Sequence, residues 1–167
     1  MQMEQVSGAL YVHSAPRAVT NHIEWAVNGV LGVPQRYRWT DSPSAETSVR
    51  LALHWEGPIG SGVAIASALR GWSDLRFELT EDAGTRSDGM LIMHTPSLGL
   101  IACSLDAAGS IVLPESRLAY ICQEHAADAQ GLVDAIHHAL GAQWDQELEP
   151  YRNGDPVLAA VRLHAVG

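Results

Sequence analysis

The chain has no lysine among its 167 residues, so each of its ten fixed positive side chains is an arginine. Nineteen carboxylates outnumber them, leaving a formal net charge of -9. That excess repels phosphate backbones and argues against generic nucleic-acid binding. No apolar run approaches the ~20 residues that a membrane-spanning helix needs. Met1 to Ser7 carries neither the basic start nor the apolar stretch of a signal peptide. The only cysteines, Cys103 and Cys122, form no CxxC pair and read as reduced core thiols of a cytoplasmic protein. HxH and HExxH are absent, so the eight histidines imply no metal site, and nothing implies a cofactor. Repeats, low-complexity tracts and interdomain linkers are missing too, so residues 1–167 read as a single domain of a length able to bury its own core.

What is present is an ordered series of periodic segments. Gly8 to His13 reads as a short strand, with Ser14 as a helix cap and Pro16 just inside the helix start. Val19, Ile23, Val27 and Leu31 then recur at helical spacing up to Gly32. Gln35–Thr40 alternates Arg36 and Arg38 against Tyr37 and Trp39, as a strand with one wet and one dry face does. Thr47–Trp55 alternates Val49, Leu51, Leu53 and Trp55 against Arg50, Ala52 and His54. The loop Gly57–Gly62 leads into a helix carrying Ile65, Ala66 and Leu69, and Asp74–Thr80 alternates again.

This order, β-α-β-β-α-β, predicts an α+β fold of the ferredoxin-like plait type. A β-meander over 90–94, 98–105 and 111–113 extends it, and C-terminal helices follow. One starts at Pro114-Glu115 and another spans 129–149 up to Pro150, with Leu132, Ile136, Leu140, Trp144 and Leu148 as its stripe. Val157–Val166 reads as a last strand.

In that arrangement Arg36, Arg38, Arg50 and Arg76 share one sheet face with Tyr11, His13 and His54. Guanidinium forks suit phosphate and carboxylate, and an aromatic ring beside them can stack on a ligand. The face is therefore the candidate ligand site. The competing reading is structural. Residues 1–80 hold six arginines and seven acids, whereas residues 81–167 hold four and twelve. The acidic half can fold over the face, with Asp145, Glu147 and Glu149 pairing with it, and the charge asymmetry favours that cover.

The remaining signals are weaker. Gly57, Gly60 and Gly62 fit neither a P-loop nor a GxGxxG, so a tight turn with Ser61 as cap competes with an anion-binding loop. Ser61 lacks a nucleophile elbow, and neither cysteine stands in a thiolate-favouring setting. His22 and Trp25 make a patch at i, i+3 on the first helix, or a flank with Trp25 partly packed. The five tryptophans fall near element ends, where packing explains them.

The stretches GALYVHSAP, HIEWA, GSGVAIASALRGW, LRFELTED, HTPSLG and WDQELEPYR, in that order, resemble an actinobacterial family catalogued as domain of unknown function 3145. The resemblance runs from Gly8 to the end of the chain. It implies a single-domain cytoplasmic bacterial protein and brings no activity, cofactor or site residue. Some members are encoded beside fatty-acid synthesis genes, which implies a phosphopantetheine or acyl-carrier partner. Three functions follow as expectations. The first is a non-enzymatic binding or regulatory protein whose arginine face holds an anionic small molecule or an acidic protein partner. The second is an enzyme on a phosphorylated, CoA-linked or acyl-carrier-linked substrate, with Gly57–Gly62 on the phosphate and His13 or His54 as base. The third is a structural homo-oligomer.

Overall fold

The first strand, β1 (Gln5–Pro16), lies inside the sheet with a neighbour on either edge and decides what surrounds it. The computed structural model describes residues 4–44 and 46–152. After β1 come a 3-10 turn (Arg17–Val19), α1 (Thr20–Leu31), β2 (Thr40–Asp41), β3 (Ser48–Pro58), α2 (Ser61–Leu69) and β4 (Arg76–Glu81). Then follow β5 (Gly89–Thr95), β6 (Gly99–Leu105), β7 (Ile111–Val112), α3 (Glu115–Glu124), α4 (Ala129–Ala139) and α5 (Ala142–Arg152). The seven strands form one sheet in the order β2-β3-β1-β4-β5-β6-β7, and every neighbouring pair is antiparallel. The fold of the described residues is thus mixed α and β. None of its helices is long and apolar enough to cross a membrane.

Strand alternation sorts side chains between two faces. Leu10, Val12, Leu51, Leu53, Trp55, Phe77 and Leu79 point to one face, where Ile23, Val27, Ile65 and Leu69 of α1 and α2 complete the main core. Ala9, Tyr11, His13, Glu78 and Met93 belong to the other face, against which α5 lays Trp144 and Leu148.

Five local expectations are corrected. Ser14 caps no helix: β1 runs through it, pairing Ser14 with Arg76 and Ala15 with Val49. A β-bulge at His13-Ser14 shifts the register, so Ala15, rather than Ser14, reaches the main core. Arg36 and Arg38 do not lie in a strand, since pairing with β3 begins at Thr40. The alternation there is real, but the partner of its dry face is a helix. The Tyr37 hydroxyl donates to Asn28 Oδ1 at 2.9 Å, and Trp39 Nε1 donates to Glu24 Oε1 at 2.8 Å, both on α1.

The expected helix 129–149 is two helices, because Gly141 adopts φ +77°, a left-handed conformation that suits glycine. A side chain there would also meet Met93 Cε at 2.6 Å. Pro150 lies inside α5, which continues to Arg152. Cys103 is buried as expected and its thiol is pushed up by burial, but Cys122 is exposed. The strand expected at Val157–Val166 lies outside the described residues.

Candidate functional site

Two short sequences place a carboxylate where apolar neighbours surround it. On β4, Phe77 and Leu79 face the main core, and so does Glu81 at the next position of that parity. Its Oε1 accepts the Gly60 N–H at 2.8 Å and its Oε2 the Gly62 N–H at 2.7 Å. A carboxylate on the first amides of α2 satisfies donors the helix cannot, and it complements the helix dipole. Gly62 permits the approach, since a side chain there would meet Glu81 Oε2 and Leu79 Cδ2, each at 2.9 Å.

This arrangement overturns the expectation that the Gly57–Gly62 loop holds a substrate phosphate. The protein's own carboxylate already occupies those amides. Ser61 caps nothing either, for its hydroxyl donates to the Pro58 carbonyl at 2.6 Å.

On the opposite face of β4, Glu78 is buried beneath α5. Arg152 reaches down from the last turn of that helix and donates from Nε to Glu78 Oε2 at 2.8 Å and from Nη2 to Oε1. This two-pronged fork is the geometry guanidinium and carboxylate share. His13 Nε2 lies 2.6 Å from Glu78 Oε2. Above, Arg152 Nη1 donates to Asp145 Oδ1 at 2.7 Å and approaches Glu149 Oε2 at 3.4 Å.

Burial alone would raise the Glu78 carboxyl. Hydrogen bonds from His13 and Arg152, with the Arg152 charge, outweigh it and hold the group at about 2. Burial likewise works against the Arg152 charge, but Glu78 and Asp145 leave its pKa raised. A carboxylate has only lone pairs to offer, so His13 carries a proton on Nε2.

The expected cover of the arginine face by C-terminal carboxylates thus takes another form. The sheet supplies the buried carboxylate and the helix supplies the arginine. Asp145 and Glu149 pair with Arg152 of their own helix, and Glu147 accepts from the Ser97 hydroxyl at 2.6 Å.

Beside this cluster lies a cavity of about 270 Å³, lined by Tyr11, Val12, His13, Arg38, Thr40, Arg50, Leu51, Ala52 and Tyr151. The β-bulge puts His13 and Ser14 together opposite the single Arg50 position on β3. Thr40 pairs with Arg50 in the β2–β3 register, and Arg50 Nε donates to its hydroxyl at 3.4 Å. Arg76 stands next door with its guanidinium 4.7 Å over the Tyr151 ring.

Of the seven residues expected to form the ligand face, Tyr11, His13, Arg38 and Arg50 line this cavity, and Arg76 stacks on a fifth lining residue. Arg36 is exposed on the segment before β2, outside the lining. His54 is exposed on β3 opposite Ala9 and lines a larger concavity of about 810 Å³ instead. That concavity carries Glu56 and Asp82 and no arginine, so charge favours the smaller one for an anion.

Reading the residues in order missed Tyr151, Thr40 and the Glu78–Arg152 pair. A signal for Arg152 was present: Trp144, Leu148 and Arg152 fall four apart, which continues the buried stripe past Pro150.

Other candidates resolve into packing or surface. Trp25 is 78% exposed on α1, so it is not the partly packed flank expected. Among the described residues, no group of three His, Cys, Asp or Glu side chains meets in a geometry that could hold a metal ion. A family model described as Protein of unknown function (DUF3145) matches residues 9–164. No curated protein and no solved structure matches the chain.

Proposed function

The chain belongs to the DUF3145 family, and we propose that it is a binding or regulatory protein that holds a small anion between Arg38 and Arg50. The observation that carries this reading is the cavity itself. The β-bulge sets His13 opposite Arg50, and Tyr11, Arg38 and Tyr151 join them around about 270 Å³. Arg152 has its charge matched by Glu78, Asp145 and Glu149, and Arg76 lies over the Tyr151 ring, whereas Arg38 and Arg50 line the cavity itself. Guanidinium groups at a concave wall favour phosphate or carboxylate, and the rings of Tyr11 and Tyr151 give a flat guest a surface to lie on. A concavity of about 270 Å³ suits a small molecule better than the broad acidic surface of a partner protein.

We read the scaffold as a ferredoxin-like plait extended by a meander and C-terminal helices. The order β2-β3-β1-β4 and the packing of α1 and α2 on one face support that reading.

The test is a binding screen with inorganic phosphate, adenosine monophosphate and citrate on the full chain, repeated with the Arg38→Gln/Arg50→Gln double variant. At least one anion should bind. The variant should weaken that binding at least about tenfold, the loss of one charge-assisted hydrogen bond. Its Tm should move by less than about 3 °C, as for a surface change in a chain of this length. A wild-type protein that binds none of the three, or a variant that melts far lower while binding as before, overturns the reading.

A further inference from the structure

We infer that His13 is a third recognising group of this anion site, and that an anion entering the cavity is met by a proton taken up on its Nδ1. This rests on the anion site proposed above and deepens it.

Glu78 determines what the ring can offer a guest. The carboxylate fixes the proton on Nε2, at 2.6 Å, and this is the only hydrogen bond the ring makes among the described residues. The ring is 2% exposed, and what remains for a guest in the cavity it lines is Nδ1. With Nε2–H committed to Glu78, Nδ1 is the ring atom left to gain or lose a proton. Neutral, Nδ1 is a lone pair and repels an anion. Protonated, it is a charge-assisted donor beside two guanidinium groups.

The groups that surround the ring set the balance. Glu78 on β4 favours the imidazolium. Arg50 on β3, Arg38 before β2, Arg76 on β4 and Arg152 on α5 oppose it, while Tyr11 and Tyr151 are neutral walls. Asp145 and Glu149 lie beyond Arg152 and offset its charge. A bound anion adds a negative charge on the open side of the ring. It therefore stabilises the imidazolium, and by linkage the imidazolium tightens the anion.

A fixed-charge probe separates this from titration of the ligand. Sulfate keeps its charge between about pH 8 and about pH 5.5, the span in which imidazoles change theirs. NMR titration of the full chain with sulfate should show about tenfold tighter binding at the acid end, equal to one charge-assisted hydrogen bond. His13→Gln keeps an amide donor for Glu78 and removes the titration, so it should bind equally weakly at both pH values with little change in Tm. Nitrogen-15 spectra of the free protein should place the neutral-state proton on Nε2. An Nδ1–H tautomer overturns the inference without reference to any ligand. So does sulfate binding that is independent of pH, or a pH dependence that persists in the His13→Gln variant. Absence of sulfate binding at either pH, with the Nε2–H tautomer in place, falls on the anion site itself and takes this inference with it.

Discussion

On one face, the sheet buries Leu10, Leu51, Trp55, Phe77 and Leu79 beneath α1 and α2. On the other, it buries Glu78 and Arg152 beneath α5. The first face joins eighteen buried apolar side chains among the described residues, with Glu81 and His94 buried at its border. The second joins Met93, Trp144 and Leu148, and its deepest contact is ionic. Apolar packing is broad and indifferent to pH, and its strength scales with area. A buried ion pair adds little net stability but fixes one geometry, and it punishes the loss of either partner. The two faces thus divide the labour: one holds the fold together, and the other fixes where α5 sits and where Tyr151 meets the cavity.

The contrast can be broken most forcefully at Phe77, which is fully buried. Phe77→Ala should lower stability by about 4 kcal/mol through lost transfer energy and an unfilled cavity. Denaturant melts followed by tryptophan fluorescence and circular dichroism should shift together. A loss below about 1 kcal/mol would deny the helical face its leading role.

Glu78→Gln tests the other face. It leaves Arg152 buried beside a neutral amide, and should destabilise by about 3 kcal/mol. Replacing both partners, Glu78→Met with Arg152→Met, should recover most of that loss. The same pair sets a pH dependence. The folded-state value of Glu78, about 2, lies below its ordinary 4.5. The carboxylate's contribution is therefore complete above about 4.5 and fades as pH falls through about 2, amounting to roughly 3 kcal/mol. Acid melts of the wild type should show this slope, and Glu78→Gln should flatten it. An unchanged slope in the variant would detach the acid sensitivity from this pair.

The smallest expected effect sharpens the boundary between the faces. Glu81 stands at a core position yet serves as the cap of α2. Glu81→Gln should cost about 1 kcal/mol, with hydrogen exchange quickening first at the amides of Gly60 and Gly62. Protection unchanged at those two amides would mean that the loop is held by other contacts.

The order of elements from β1 to β4 was legible because alternation and helical spacing report burial directly. So was the meander. What escaped reading has a common cause. Gln35–Thr40 alternates correctly, but alternation says which side is dry and not whether a strand or a helix dries it. The side chains of Glu24 and Asn28 decided that. Gly141 looked like one more residue of a long helix, and only its positive φ and its contact with Met93 explain the break. Four residues of the candidate cavity were grouped in advance: strand parity brings Tyr11, His13 and Arg50 to one face, and Arg38 joins them from the segment before β2. Tyr151 and Arg152 were not, because Pro150 read as a stop. A proline in the last turns can be tolerated where tertiary contacts hold the turn, and here Arg152 anchors it to Glu78.

The central position of β1 has a consequence for the order in which the protein can be built. Its neighbours are β3 and β4, and the partner of Ala9 on β4, Thr80, lies 71 residues further along the chain. A ribosome adding about 5–20 residues per second needs roughly 4–14 s to span that gap. For that interval the apolar run Ala9 to Val12 leaves the exit tunnel with its β4 edge unpaired. The clamp on Glu78 waits longer still, until Arg152, 74 residues later, has emerged. β1 thus emerges well before the strand and the helix that cover it. A chaperone would matter most to β1 in the interval before Thr80 emerges.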